Sequence, residues 1–185
     1  MMRIVGGVAK GRRLAVPARG TRPTSDRARE AMFSSLVELI DIEGVRMLDL
    51  FAGSGAVGLE ALSRGAASAT FVESDRAACE VLRHNIDAVG LGGAQVHRRP
   101  AATYLVAGGA DQPFDLVFAD PPYAFGEQQL GVLLTTLAEP PWLAEHAVVV
   151  VERSARGPQP LWPESIEAMK HKRYGEGALW YGRRR

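Results

Sequence analysis

Two groups of residues in this chain could do chemistry, and each follows a run that reads as a β-strand. The first is Asp120-Pro121-Pro122-Tyr123, delivered by Phe114 to Ala119. Asp120 offers a carboxylate, and Asp120 or Pro121 a backbone carbonyl. Two acceptors facing one planar –NH2 can align its lone pair toward an electrophile. The prolines restrict φ and stiffen that backbone, and Tyr123 supplies a plane on which a base can stack. An exocyclic amine is a poor nucleophile because its lone pair is delocalised into the ring. Fixed acceptors and removal of a proton as charge develops address that weakness. Alone, a Pro-Pro after a strand is usually a loop breaker; between an acid and an aromatic at a strand end it points to amine chemistry.

The second group is Asp49-Leu50-Phe51-Ala52-Gly53-Ser54-Gly55-Ala56-Val57-Gly58, with Glu73 twenty residues after Gly53. Gly53, Gly55 and Gly58 spell G-x-G-x-x-G between a strand and a helix, where bare backbone N–H groups can approach a ligand. An acid at the end of the next strand can accept from both hydroxyls of a ribose. A nucleoside cofactor is favoured over an empty turn. The same pattern fits NAD. However, Asp49 just before the loop would oppose a pyrophosphate and suit a cation such as the ammonium of S-adenosylmethionine.

The elements that must position these groups alternate along the chain. Arg3 to Val8 and Arg12 to Val16 predict a small hairpin or ribbon around Lys10-Gly11. Thr24, Ser25 and Asp26 are candidate N-caps for a helix to about Ile40, with Ala28, Ala31, Met32, Leu36, Leu39 and Ile40 on one stripe. Arg27 and Arg29 fall off that stripe and are expected to face water or a partner. Strands are predicted at Met47 to Phe51, Ala69 to Glu73, Ala94 to Arg98, Phe114 to Ala119 and Ala147 to Glu152. Helices are predicted at about Ala56 to Arg64, Arg76 to Val89, near Thr103, and at Gln128 to Ala138. A closing hairpin runs through Ile166 to Tyr174 and Ala178 to Tyr181. Such a β-α-β-α series implies a doubly wound α/β domain with a mostly parallel sheet. Residues 1–20 are expected to form a ribbon extension and residues 21–185 the catalytic domain.

Composition bounds the classes. The chain has 185 residues, 46% of them apolar, and a net charge of +1, which is globular rather than disordered. No apolar run reaches the roughly 20 residues of a membrane helix. No secretory pattern is visible at Met1 to Arg13, and a single cysteine, Cys79, excludes a disulfide framework. A cytoplasmic location is expected. His84, His97, His146 and His171 lack ligand spacing, so no metal is expected. The charge is segregated: residues 1–30 carry eight Lys/Arg against two acids, and residues 170–185 carry six against one. The middle carries eight against eighteen. Basic ends meeting on one face would form a polyanion footprint; if they do not meet, they serve solubility alone. The RNA-contact candidates are Arg3, Lys10, Arg12, Arg13, Arg22, Arg27 and Arg29, with Lys172 and Arg173.

With these residues laid out, Asp49 to Gly58 resembles motif I of class I S-adenosylmethionine-dependent methyltransferases, and Asp120 to Tyr123 the D/N-P-P-Y/F motif of amino-group methyltransferases. The blocks Ile4 to Gly7, Gly11 to Leu14, Arg22 to Glu30 and Leu59 to Gly65 are similar to the bacterial ribosomal small-subunit methyltransferase D family. That resemblance implies a seven-stranded, Rossmann-like methyltransferase sheet and methylation of a guanine 2-amino group in 16S rRNA of the small subunit or its assembly intermediate, by a monomer.

Carried over residue by residue, Phe51, Ala52, Gly53, Ser54 and Gly55 would line the methionine part of S-adenosylmethionine, with Asp49 near its ammonium. Glu73 would hold the ribose, with Ser74 and Asp75 bordering the adenosine. Thr24 belongs to the segment that closes over the cofactor, and Asp120 would border it from the fourth strand. Asp120 and the Pro121 carbonyl would hold the amine, with Pro122 completing the catalytic turn and Tyr123 and Phe125 stacking on the base. Arg98-Arg99-Pro100-Ala101 departs from the family by lacking an Asp or Asn after the third strand. Adenine must then be held by backbone groups or packing near Ala101. The transfer implied is direct, since Cys79 reads as core and not as a nucleophile. The rival readings are an amino-group methyltransferase acting on DNA adenine or protein glutamine, an NAD-dependent oxidoreductase, and a non-catalytic RNA-binding assembly factor.

Overall fold

The computed structural model describes residues 2–18, 24–108 and 110–185. Seven strands form one sheet in the order β5-β4-β3-β6-β7-β9-β8. These are β3 (Arg46–Leu50), β4 (Ser68–Glu73), β5 (Ala94–Arg98), β6 (Phe114–Ala119), β7 (Leu143–Ser154), β8 (Ile166–Tyr174) and β9 (Gly177–Arg184). The first five run parallel, and β9 inserts antiparallel between β7 and β8. The helices are α1 (Asp26–Leu36), α2 (Ala56–Ser63), α3 (Arg76–Val89), α4 (Ala101–Ala107) and α5 (Glu127–Ala138). The expected doubly wound, mostly parallel sheet with an antiparallel C-terminal hairpin is the observed fold. No helix among the described residues is long and apolar enough to cross a membrane.

Strand alternation explains why both faces are covered. Met47, Leu116, Phe118, Val148 and Val150 join the core shared with α1, α2 and α3, while Leu48, Leu50, Val117, Val149 and Val151 join the core under α4 and α5. A strand buried on both sides must be apolar at every position, and Val148 to Val151 is fully buried throughout. Because β3 has β4 on one side and β6 on the other, the winding reverses there. In open α/β sheets this switch point, beyond the carboxyl ends of the strands, is where ligands bind. Both chemical groups leave strands at this edge.

Helix starts follow local chemistry. Ser25 accepts from the Ala28 N–H at 3.1 Å to cap α1, and Asp75 accepts from the Ala78 N–H at 2.8 Å to cap α3. The α3 helix stops at Gly90 in the left-handed region (φ 65°).

Several sequence expectations are corrected in extent. The N-terminal hairpin shrinks to two-residue strands, β1 (Met2–Arg3) and β2 (Arg13–Leu14). Ile4 and Gly11 still bond across the ribbon, but four backbone donors between the strands go to α2: Val5 and Gly6 donate to the Glu60 carboxylate, Ala9 to Ser63 Oγ and Val8 to the Ser63 carbonyl. The first helix ends at Leu36 rather than Ile40, because Leu39 and Ile40 both donate to the Leu36 carbonyl and close it in a tight turn. Strand β7 starts at Leu143, four residues early, through a register shift opposite Phe114 that leaves His146 at φ 61°. Strand β9 runs on to Arg184, past the expected end at Tyr181.

Candidate active site

Each glycine of the loop after β3 has a distinct duty. A Cβ on Gly58 would lie 2.3 Å from Phe71 Cε1, and one on Gly55 2.2 Å from Leu82 Cδ1, so these two let α2 pack on the sheet and on α3. Gly53 (φ 53°) has nothing within 4 Å of its missing Cβ, so the loop is open on that side. Asp49 is buried, and its Oδ2 accepts the Gly58 N–H at 3.0 Å. Burial pushes its carboxyl up to about 8, aided by the charge of Glu73 and opposed by that Gly58 bond. Phe51 holds a left-handed φ of 61° and packs edge-on against Phe125, ring centres 5.3 Å apart. Such a conformation in an aromatic residue is strained and clusters at functional sites.

Glu73 ends β4 with its carboxylate over the loop: Oε2 accepts from Gly53 N–H at 2.9 Å and Oε1 from Asp75 N–H at 2.8 Å. A carboxylate has about four lone-pair positions, so both oxygens keep capacity for hydroxyl donors. Ser74 and Asp75 are exposed beside it, and the Asp75 carboxylate caps α3. Ser54 is buried, its Oγ against Met2 Sδ at 3.6 Å, and its carbonyl accepts from Asn85 Nδ2 at 2.9 Å. The same Asn85 side chain bonds both the N–H and the carbonyl of Ala15, which ties the N-terminal ribbon to the glycine loop. Ala101 is buried at the start of α4. Cys79 is buried with its thiol donating to the Glu73 carbonyl at 3.4 Å, and burial raises its pKa.

Asp120 leaves β6 beside this loop, followed by buried Pro121, exposed Pro122 and a largely exposed Tyr123 (71%). A cleft of about 340 Å³ opens at this point, lined among others by Thr24, Arg27, Asp120, Tyr123, Glu152 and Arg173. Glu152 was not singled out by sequence. It sits on β7 beside Asp120, the residue that follows β6, since the preceding residues Ala119 and Val151 are register partners. Thr24 Oγ1 donates to Glu152 Oε2 at 2.6 Å. Burial raises the Asp120 carboxyl well above the ordinary range; Glu152 and Asp49 add to that, and Arg153 opposes it. Burial raises Glu152 as well, against the Thr24 bond. Three acids therefore crowd one edge, a field that favours any cation or developing positive charge placed there. The signal available in sequence was a charged residue ending the all-valine strand, which periodicity reads only as a strand end.

The basic ends converge in part. Arg27 from the N-terminal side and Arg173 from the C-terminal hairpin both reach the cleft that holds Asp120 and Tyr123. Arg3, Lys10, Arg12, Arg13, Lys172 and Arg173 are exposed. The Arg12 guanidinium donates to the Val89 carbonyl, which pins the ribbon on α3. Arg29 is corrected: its side chain is fully buried, bonded to the carbonyls of Arg3 and Thr24 and to Asp26, and paired with Glu60. Helical periodicity put it off the apolar stripe, and the N-terminal ribbon covers that side of α1. Arg22 lies outside the described residues. Lys170, Arg183 and Arg184 are engaged within the fold, with Glu38 and the carbonyls of Leu39 and Leu143.

Comparison with known proteins agrees with this geometry. The family model described as conserved hypothetical protein 95 matches residues 2–183. The chain is 40% identical over 178 residues to ribosomal RNA small subunit methyltransferase D of Escherichia coli K12, covering 96% of this chain and 87% of that protein. It is 35% identical over 177 residues to the protein of the same name from Haemophilus influenzae, covering 94% and 89%. The solved structure of the Escherichia coli protein yhhF superposes with a TM-score of 0.86 at 38% identity, covering 99% of this chain and 97% of that one. With the glycine loop, its paired acid and the Asp-Pro-Pro-Tyr turn on one sheet edge, this chain belongs to the conserved hypothetical protein 95 family, the methyltransferases of the ribosomal small-subunit methyltransferase D type.

Proposed function

We propose that the chain transfers a methyl group from S-adenosylmethionine to the exocyclic 2-amino group of a guanine in small-subunit ribosomal RNA. The observation that carries this reading is the juxtaposition of Asp120-Pro121-Pro122-Tyr123 with a cleft rimmed by Arg27 and Arg173, one strand away from the open face of the glycine loop. The names of the Escherichia coli and Haemophilus influenzae relatives support the ribosomal substrate. Acting on ribosomal RNA would put the protein in the cytoplasm.

The donor set fits a cationic nucleoside better than a dinucleotide. Glu73 has spare acceptor capacity at the end of β4, and Gly53 leaves open space beside it. Buried Asp49 stands where a pyrophosphate would be repelled and an ammonium attracted. When bound, S-adenosylmethionine supplies an electrophilic methyl carbon on its sulfonium. The residues of this chain supply the rest. Glu73 holds the ribose, Asp49 offsets the cofactor's positive charge, and the loop from Phe51 to Gly55 fits the methionine part. Asp120 Oδ and the Pro121 carbonyl accept from the guanine amine and fix its lone-pair direction. Tyr123 stacks on the base, which must be extruded or already unpaired. As positive charge grows on the amine nitrogen, the Asp120 carboxylate, whose proton affinity is raised, takes the proton. Phosphates are held by Arg3, Lys10, Arg12, Arg13, Arg27, Lys172 and Arg173, the first four on the ribbon of residues 1–20.

Methyl transfer to small subunits, to assembly intermediates and to naked 16S rRNA tests this reading, with mass spectrometry locating the modified base. A methylated guanine N2 in one of these substrates is expected. Modification of DNA adenine or protein glutamine instead, or transfer to none of the RNA substrates, would overturn it.

A further inference from the structure

Glu152 is the half-buried acid of the cleft that the reaction above leaves without a task. Phe118 and Val150 point to one side of the sheet, and Ala119 and Val151 to the other. The next residues, Asp120 and Glu152, therefore leave neighbouring strands on the same side, about 5 Å apart. Thr24 engages Glu152 Oε2, and among the described residues no donor meets Oε1. A Cβ on Gly177 would lie 3.2 Å from that Oε1, so the glycine of β9 leaves the carboxylate its room. Both acids line the cleft with Tyr123.

Two neighbouring acceptors match a base edge that presents two neighbouring donors. Guanine presents N1–H beside its 2-amino group, whereas adenine presents a bare N1 lone pair beside its 6-amino group. We propose that Glu152, held by Thr24, reads the N1–H of the target guanine while Asp120 holds the adjacent amine, and so sets base specificity. This rests on the guanine-amine reading above. A base with an acceptor at N1 would face the Glu152 carboxylate lone pair to lone pair and leave it unpaired. Sites built to bond a substrate donor reject analogues lacking it by large factors. Thr24 is a positioning residue: its hydroxyl turns the carboxylate so that Oε1 is the free oxygen.

The test uses small subunits reconstituted with 16S rRNA bearing either guanosine or 2-aminopurine riboside at the mapped nucleotide. The analogue keeps the 2-amino group and lacks N1–H. The unsubstituted enzyme should prefer guanosine by about 10²-fold or more in kcat/KM. In Glu152→Gln the carboxamide can turn either an acceptor or a donor to N1. The preference should shrink at least tenfold, with S-adenosylmethionine affinity by calorimetry unchanged. A Glu152→Gln that slows both substrates by the same factor would overturn the assignment, as would an unsubstituted enzyme indifferent to the analogue, whether or not the variant folds. Failure of the unsubstituted enzyme to methylate the guanosine substrate would instead sink the underlying guanine-amine reading.

Discussion

Arg29 Nε lies 3.7 Å from Glu60 Oε2, with both side chains fully withdrawn from solvent. Around this pair Glu60 also receives the backbone N–H groups of Val5 and Gly6 and the Arg64 guanidinium at 2.9 Å. Arg29 in turn donates to the carbonyl of Thr24 at 3.2 Å. A charge that sequence assigned to RNA thus holds the ribbon, α1 and α2 together, and it fixes the residue that positions Glu152.

Removing one partner of a buried ion pair strands the other. Arg29→Ala is expected to cost about 3–5 kcal/mol of stability in urea denaturation. Arg27→Ala, on the exposed side of the same helix, should change it by no more than about 0.5 kcal/mol. Equal effects at the two positions would contradict the burial of Arg29.

Asp120 and Glu73 should fail differently. Asp120→Ala is expected to reduce methyl transfer by about 10²–10³-fold, as loss of a group aimed at developing charge does, while cofactor affinity stays within a few-fold. Glu73→Ala removes charged hydrogen bonds worth about 1.5–3 kcal/mol each, so affinity should fall at least tenfold by calorimetry. Retained turnover in the first or unchanged affinity in the second would reject the role concerned.

Asp49 is pushed up from its ordinary 3.8 to about 8 by burial and Glu73, against the Gly58 bond. Between those values the folded chain holds the proton and the unfolded chain does not. The stability this group contributes is therefore present at low pH and lost as pH rises toward 8, by at most about 1.4 kcal/mol per pH unit. Asp120 and Glu152 are raised too and act with the same sign. Cofactor-free Tm should fall from pH 5 to 8, and Asp49→Asn should flatten part of that slope. Affinity for a cationic cofactor should rise over the same window with proton release. Affinity that falls with pH would exclude a cation beside Asp49.

Phosphate contacts by the exposed arginines and lysines predict a steep salt dependence, each adding about 0.7 to 0.9 to the slope of log affinity against log salt. Arg173→Ala and Lys10→Ala should each lower that slope by about one contact, measured by fluorescence anisotropy with 16S rRNA fragments. A salt-independent affinity would remove electrostatics from the recognition of RNA.

The sequence alone determined the doubly wound sheet, because strands buried on both faces must be apolar throughout, as Val148 to Val151 are. It also determined the glycine loop and the Asp-Pro-Pro-Tyr turn, whose chemistry lies in contiguous residues. The Lys10-Gly11 ribbon was legible as a turn but not in extent, since the backbone donors of Val5, Gly6, Val8 and Ala9 are claimed by Glu60 and Ser63, more than fifty residues away. Only the tertiary structure decided which charges are free. Arg29 and Arg27 are two residues apart and alike in sequence, yet one is sealed under the ribbon and the other reaches the cleft. Glu152 was invisible for the same reason. A carboxylate acquires a role from its neighbours, and Thr24, 128 residues away, and Asp120, just past the end of the neighbouring strand, become neighbours only when the sheet is assembled.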